Sequence, residues 1–363
     1  MRRLLFQVHL WLGVLTGLYV AIVCVSGAAL VFRIELQRAL DPHLFTPAGE
    51  GPLADPVTVM DSVARAYPQH RLSGVEAPTT LRPTYLAYVT RAAEFTTVLI
   101  DPVSTAVLGE LPERAVIRAL QDLHYNLLGG RTGRTINGAG AFGILLLCAT
   151  GVVIWWPGTR AWRRGFVVDL SRASRRKAWE LHRAVGIWSV GFIAMLAITG
   201  LSFVFPAGFR TVVNRLSPVT VARSPRSGPP SMVAPPSWRQ VIDRARSHAP
   251  GQAVARVVLP FGERGAFLVM FSPRSPTPAG SALTSIYLDQ YTGEQLAATA
   301  GARTWGDAVM SSMSPLHVGG VGGQAGRVIW FTLGLSPAVL FVTGLIVWWR
   351  RVVRPRWAPI AVR

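Results

Sequence analysis

The sequence predicts an α-helical membrane protein: a four-helix transmembrane bundle from a tandem repeat, with two outer α/β domains. Three observations predict it. Four apolar stretches each approach the ~20 residues that a helix needs to cross a bilayer. Basic residues crowd into the short segments that flank them, and several motifs recur at two constant offsets. The chain has 363 residues, 50% hydrophobic and 15% charged, with a net charge of +19. Intrinsic disorder is excluded, because it needs low hydrophobicity together with high net charge.

The first span, residues 8–32 within a segment 1–33, follows Met1-Arg2-Arg3. Its apolar run exceeds the ~7 to 15 residues of a signal-peptide core, and no small-x-small cleavage pattern with a polar start follows, so it reads as a retained helix. Residues 34–122 then read as an outer α/β domain. Asp55 is placed to cap a helix from Pro56 to Tyr67, and strand-like runs follow at about 72–77, 84–91 and 95–101.

Residues 123–156 contain a Leu-His pair and the second span, 138–156. The loop 157–183 carries Arg160, Arg163, Arg164, Arg172, Arg175, Arg176, Lys177 and Arg183 against Asp169 and Glu180. The third span is 184–205. Residues 206–315 hold a Ser/Pro/Gly-rich linker, 217–236, and a second outer domain. In it Ser237 caps a helix to about His248, followed by strand-like runs near 253–259, 265–271 and 284–289. Residues 316–349 repeat the Leu-His pair and hold the fourth span, 327–349, before a tail, 350–363, with Arg350, Arg351, Arg354, Arg356 and Arg363.

The N-terminus, the 157–183 loop and the tail together hold 15 basic and 2 acidic residues, a net +13 of the total +19. The positive-inside rule makes these segments and both termini cytoplasmic and puts the two long connections outside. The first of those connections, up to Asp122, has 7 basic and 11 acidic residues, so there is no continuous cationic face and nucleic acid is not an expected partner.

The repeat is found by subtraction. His9, Gly13, Ser26, Gly27 and Phe32 match His182, Gly186, Thr199, Gly200 and Phe205 at an offset of 173. Leu123-His124, Gly130, Gly133-Arg134, Thr150-Gly151 and Trp155-Trp156 match Leu316-His317, Gly323, Gly326-Arg327, Thr343-Gly344 and Trp348-Trp349 at an offset of 193. In each copy a strand runs into an Asp-led turn, at Asp101 and Asp289.

These His-to-Gly starts, strand-Asp-turn segments, Leu-His pairs and Thr-Gly-x-x-x-Trp-Trp endings resemble the PepSY-associated transmembrane helix family across nearly the whole chain. The resemblance implies periplasmic PepSY-like domains and a multi-pass protein of the bacterial inner membrane. It also implies iron-regulated relatives that include ferric-siderophore reductases.

Four of the seven histidines occupy repeat-equivalent positions. The topology places His9 and His182 near the cytoplasmic ends of spans one and three, and His124 and His317 on the outer side just before spans two and four. A two-fold axis along the membrane normal would set like residues face to face. Two imidazoles facing each other across a bundle suit the iron of a b-type haem, so two haems are expected. Gly13 and Gly186, one turn after their histidines, would leave room for the macrocycle. Arg131, Arg134 and Arg327 would meet propionates.

Cys24 and Cys148 lie within spans and read as small apolar core residues at different depths; with no Cys-x-x-Cys-His, c-type haem is excluded. The Trp-Trp pairs read as interface anchors. No Gly-rich dinucleotide fingerprint appears, so the electron donor would be a separate cytoplasmic protein or a quinol. The expectation is a transmembrane oxidoreductase embedded in the lipid bilayer that delivers electrons to a periplasmic acceptor, which the resemblance implies is a ferric siderophore. Two alternatives stand beside it: a non-enzymatic PepSY membrane module that binds or regulates a partner such as a peptidase, and a metal permease lined by the histidines.

Overall fold

The computed structural model describes residues 2–92, 94–156, 158, 162, 166, 174–220, 225–230, 234–273, 283–299 and 304–354. Most of the basic loop, including Arg160, Arg163, Arg164 and Arg172, lies outside them, as do Arg356 and Arg363 of the tail. The chain runs α1 (Arg2–Leu30), α2 (Arg33–Leu40), a 3-10 turn (Pro42–Phe45) and α3 (Pro56–Ala66). Strands β1 (Arg71–Glu76), β2 (Tyr85–Arg91), β3 (Glu94–Ile100) and β4 (Val107–Glu110) follow. Helices α4 (Ala115–Asn126), α5 (Gly130–Trp155), α6 (Ser174–Val204), α7 (Pro206–Leu216) and α8 (Trp238–Ser247) come next. Strands β5 (Gln252–Val258), β6 (Ala266–Pro273), β7 (Thr284–Asp289) and β8 (Gln295–Thr299) precede α9 (Trp305–Val318), α10 (Gly323–Gly334) and α11 (Ser336–Trp348).

The chain divides into two units. One comprises Met1–Phe32, Arg114–Val212 and Ser312–Arg363, and the other Arg33–Glu113 and Val213–Ser311.

Among the described residues of the first unit, four helical stretches are long and apolar enough to cross a membrane: Arg2–Leu30, Gly130–Trp155, Lys177–Val204 and Gly323–Val353. The last is broken at Leu335, where α10 stops and α11 begins. Pro337 has no amide proton and its ring crowds the carbonyl four residues back, so a continuous helix is not available there. The helix α1 packs on α5 and α11, and α6 packs on the same two, so α1 and α6 stand at opposite corners of a ring. Small and branched residues fill its centre, with Val20, Ala141, Ile144, Ile193, Ala197 and Leu201 buried. Leu15, Leu18, Phe142 and Val342 point outward, as lipid-facing residues do.

Cys24 and Cys148 pack against that same central cluster, and both are free thiols. Each is enclosed as a small apolar side chain would be.

Span ends leave carbonyls without intrahelical partners. Arginines supply donors. Arg2 reaches the carbonyls of Ile154 and Trp156 at 2.9 and 3.0 Å, Arg134 that of Phe203 at 2.6 Å, and Arg327 that of Val31 at 2.5 Å.

In the second unit, Asp55 accepts from the Val57 amide at 2.9 Å and Pro56 begins α3, as the cap pattern predicts. Ser237 and Gln240 form a capping box at the start of α8. The six expected strands are present within a residue or two, and each half adds a fourth short strand, β4 and β8, that the apolar pattern did not reveal.

All eight strands form one antiparallel sheet in the order β4-β3-β2-β1-β5-β6-β7-β8. The two α/β domains expected from the sequence therefore share a sheet. At the seam β1 pairs with β5 through Gly74–Val258, Val75–Val257 and Glu76–Arg256, and Arg256 adds an ion pair to Glu76 at 3.2 Å. Joining these strands removes two exposed edges, each a row of unpaired backbone groups. One buried cluster accordingly runs under both halves: it takes in Val59, Met60 and Val63 of α3, Val241, Ile242 and Ala245 of α8, and alternate residues of both sheet halves.

Candidate functional site

The repeat-related histidines meet. The His9 and His182 rings lie 6.4 Å apart between centroids at an interplanar angle of 89°, and those of His124 and His317 lie 6.0 Å apart at 42°. In the first pair the rings come from α1 and α6, the opposite corners of the bundle. In the second they come from α4 and α9, the helices that precede the second and fourth spans.

Each ring is held from behind by a neighbouring helix. His9 Nδ1 lies 2.9 Å from the Thr150 hydroxyl. His182 Nδ1 lies 3.0 Å from the Thr343 hydroxyl and 3.0 Å from the Leu340 carbonyl. His317 Nδ1 lies 2.8 Å from the Thr199 hydroxyl, and His124 Nδ1 lies 2.8 Å from the Val23 carbonyl, three residues before Ser26. No Nε2 of these four makes a hydrogen bond among the described residues.

A glycine follows each of these Ser or Thr residues, and the imidazole edge lies over it. A methyl group on Gly27 would stand 2.6 Å from His124 Cε1, one on Gly344 3.2 Å from His182 Cε1, one on Gly151 3.3 Å from His9 Cε1, and one on Gly200 3.6 Å from His317 Cε1. The first three distances are tighter than a carbon normally approaches, so at Gly27, Gly344 and Gly151 the missing side chain helps admit the ring, while at Gly200 a methyl group would be in ordinary contact.

Around Gly13 and Gly186, expected to make room beside the histidines, one leucine each comes within 4 Å. A methyl group on Gly13 would stand 3.8 Å from Leu147, and one on Gly186 3.7 Å from Leu340. Arg134 and Arg327 cap span ends as described above. Arg327 is buried, bonds Gln324 at 3.0 Å and lies 5.0 Å from the Phe32 ring centre. Arg131 is exposed.

Two further residues position the second pair. Asn137 donates to the His124 carbonyl at 2.7 Å, and the Trp330 indole donates to the Leu316 carbonyl at 2.6 Å. They stand 193 positions apart, the offset of the second repeat, but differ in type, so comparison of residue identities passes over them. Tyr19 in turn donates to Asn137 Oδ1 at 2.8 Å.

Burial lowers the His124 and His317 imidazoles from their ordinary value, His317 further through its neighbour His124, and both are neutral at pH 7. A neutral imidazole with one nitrogen committed to an acceptor keeps a lone pair on the other. Among the described residues no group of three or more His, Cys, Asp or Glu side chains is placed to hold a metal ion, so each site offers a pair of nitrogen donors.

In the second unit, Asp101 and Asp289 act as turn acceptors. Asp101 takes the Ala48, Val103 and Ser104 amides at 2.7, 3.0 and 2.8 Å, and Asp289 takes those of Gly228, Tyr291 and Thr292 at 2.7, 2.8 and 3.0 Å.

Among proteins of known sequence, a stretch of 84 residues is 32% identical to Uncharacterized protein PA4219 of Pseudomonas aeruginosa. The match covers 22% of this chain and 20% of that relative, so the chain spans about a fifth of its length. The family model for the PepSY-associated TM region matches residues 6–351, nearly the whole chain. Four membrane-crossing helices, an antiparallel sheet unit and this match agree, and the chain belongs to the PepSY-associated TM family.

Proposed function

We propose that this protein carries electrons across a bacterial inner membrane through two b-type haems, one held by His9 and His182 and the other by His124 and His317. The observation that carries the reading is the facing of the paired rings, each with Nδ1 engaged and Nε2 unbonded. Metal–imidazole bonds of roughly 2 Å on both sides of one iron separate the two ring centres by about 6 Å, and the observed separations are 6.4 and 6.0 Å. A donor set of two neutral nitrogens and no third protein ligand is that of an axial pair. A haem iron supplies reversible one-electron transfer at such a site.

His9 and Ser26, like His182 and Thr199, are 17 residues apart on one helix, a rise of roughly 25 Å. The two sites therefore stand near opposite faces of a hydrocarbon layer of about 30 Å. With the basic segments cytoplasmic, the first pair faces the donor, a cytoplasmic protein or a quinol, and the second faces the periplasm. The tandem repeat underlies the arrangement, since each copy contributes one histidine to each pair. The acceptor in this reading is a ferric siderophore, which releases iron on reduction because hard oxygen ligands hold Fe(II) poorly.

The test is optical. The full chain purified from haem-replete cells is expected to be red, with a Soret band that shifts on dithionite reduction and two haems per chain by pyridine haemochrome. A colourless preparation would sink the conduit.

A further inference from the structure

We infer that Thr150-Gly151, Thr199-Gly200 and Thr343-Gly344, and the Val23 carbonyl with Gly27, are four imidazole seats, which fix the protonated nitrogen of each histidine as Nδ1 and leave the lone pair on Nε2. That Nε2 then serves iron rests on the proposed function; the seating itself does not.

The polarity follows from where the hydroxyl protons go. Thr150 donates to the Leu146 carbonyl at 2.7 Å, Thr199 to Met195 at 2.8 Å and Thr343 to Val339 at 2.7 Å. Each hydroxyl oxygen has thus spent its proton on its own helix and presents a lone pair to the imidazole. A lone pair accepts only from N–H, so Nδ1 carries the proton. His182 and His124 make the same point without a hydroxyl, because the carbonyls of Leu340 and Val23 can only accept. The Ser26 hydroxyl is turned to Ile22 and Val23 of its own helix at 2.8 and 3.0 Å, which leaves the His124 seat with the carbonyl.

The glycine does the steric half. With Nδ1 pinned to one helix turn and the Cε1 edge lying over the adjacent glycine, the ring is held at two points. The Thr and Gly are neighbours because the acceptor and the gap must belong to the same turn of helix. The spacing repeats in both copies. The Ser or Thr before the seat's glycine lies 17 residues after the histidine of the first and third spans and 26 residues after the histidine preceding the second and fourth, and the rings seated there belong to the other helix of the same copy. Partners of this kind that orient a ligating imidazole typically change metal affinity by about 10- to 100-fold when removed.

The experiment uses the full chain, labelled with nitrogen-15 at histidine and kept under dithionite, where a low-spin bis-imidazole iron(II) site and a haem-free chain are both diamagnetic. Thr150→Val is expected to speed exchange of the His9 Nδ1 proton severalfold, and Thr343→Val that of His182 by less, because the Leu340 carbonyl still accepts from it. Thr150→Ser restores the wild-type rate. In haem-loaded protein the same Val variants raise the midpoint potential of the first site and leave the second unchanged, because a ligand that donates from Nδ1 favours iron(III). Unchanged exchange in both Val variants, or no restoration by Ser, overturns the seats. A chain that binds no haem yet shows the exchange pattern overturns the conduit and leaves the seats standing.

Discussion

His124 lies with its Cε1 edge 2.6 Å from where a side chain on Gly27 would begin, the closest approach among the four seated rings. Gly27→Ala should therefore displace His124 while the other three rings keep their places. Haem content should fall from two toward one per chain, read by pyridine haemochrome. Gly200→Ala, where the same distance is 3.6 Å, should leave both haems bound.

The pairing of rings across the two copies makes loss of each haem separable. His9→Ala with His182→Ala should remove one haem, and His124→Ala with His317→Ala the other, each leaving about half the Soret absorbance per chain. Colour that persists at full strength in both double variants would reject these ligands even with haem present.

Arg327, buried and bonded to the Val31 carbonyl, closes the end of α1. Arg327→Met should cost on the order of 1.5 to 3 kcal/mol, the range for a hydrogen bond from a charged donor. A lower thermal midpoint of the detergent-solubilised chain measures it. Arg134→Met, which bares the Phe203 carbonyl from a more exposed position, should cost less.

Burial by itself would raise the Asp101 carboxyl, but the Ala48, Ser104 and Val103 amides and the Ser104 hydroxyl outweigh it and hold the group below the usual carboxylate range. Asp101→Ala leaves three amides without their acceptor and should destabilise the sheet unit by roughly 3 kcal/mol or more, at ~1 to 3 kcal/mol for each buried orphan. Asp101→Asn, which keeps one oxygen, should cost less. Limited proteolysis of residues 33–113 reads the difference.

Asp55 and Arg246 link α3 to α8 at 2.5 Å. Burial would raise the Asp55 carboxyl, but the Arg246 contact and the Val57 amide hold it below its ordinary value. A carboxylate lowered in the folded state adds stability above its unfolded pKa of about 3.9, and that stability is lost as pH falls through the folded value. Both side chains are about a third exposed, so the contribution is at most ~1 kcal/mol after screening. Asp55→Asn should flatten the stability profile between pH 5 and pH 2 by about that amount, and 0.5 M salt should shrink the difference.

The four spans, the helix caps at Asp55 and Ser237, and the histidine pairs are legible in the residues because each depends on local pattern or on subtraction of positions. Hydropathy marks a span without reference to its neighbours, and equal offsets mark His9 with His182 before any contact is known. Gly27, Gly151, Gly200 and Gly344 are visible as repeat positions too, yet nothing local says that a ring lies over them and not over Gly13 or Gly186. That choice depends on which helices adjoin, and adjacency is set by packing between residues far apart in the chain, 97 positions for Gly27 and His124. The union of the two α/β halves through β1 and β5 has the same origin. Alternating apolar residues specify a strand and its buried face, while the strand beside it is selected by which free edge lies within reach. Asn137 and Trp330 were hidden for a chemical reason: a carboxamide and an indole each donate an N–H to a carbonyl of the Leu-His pair, that of His124 in one copy and of Leu316 in the other, so the role recurs where the residue does not.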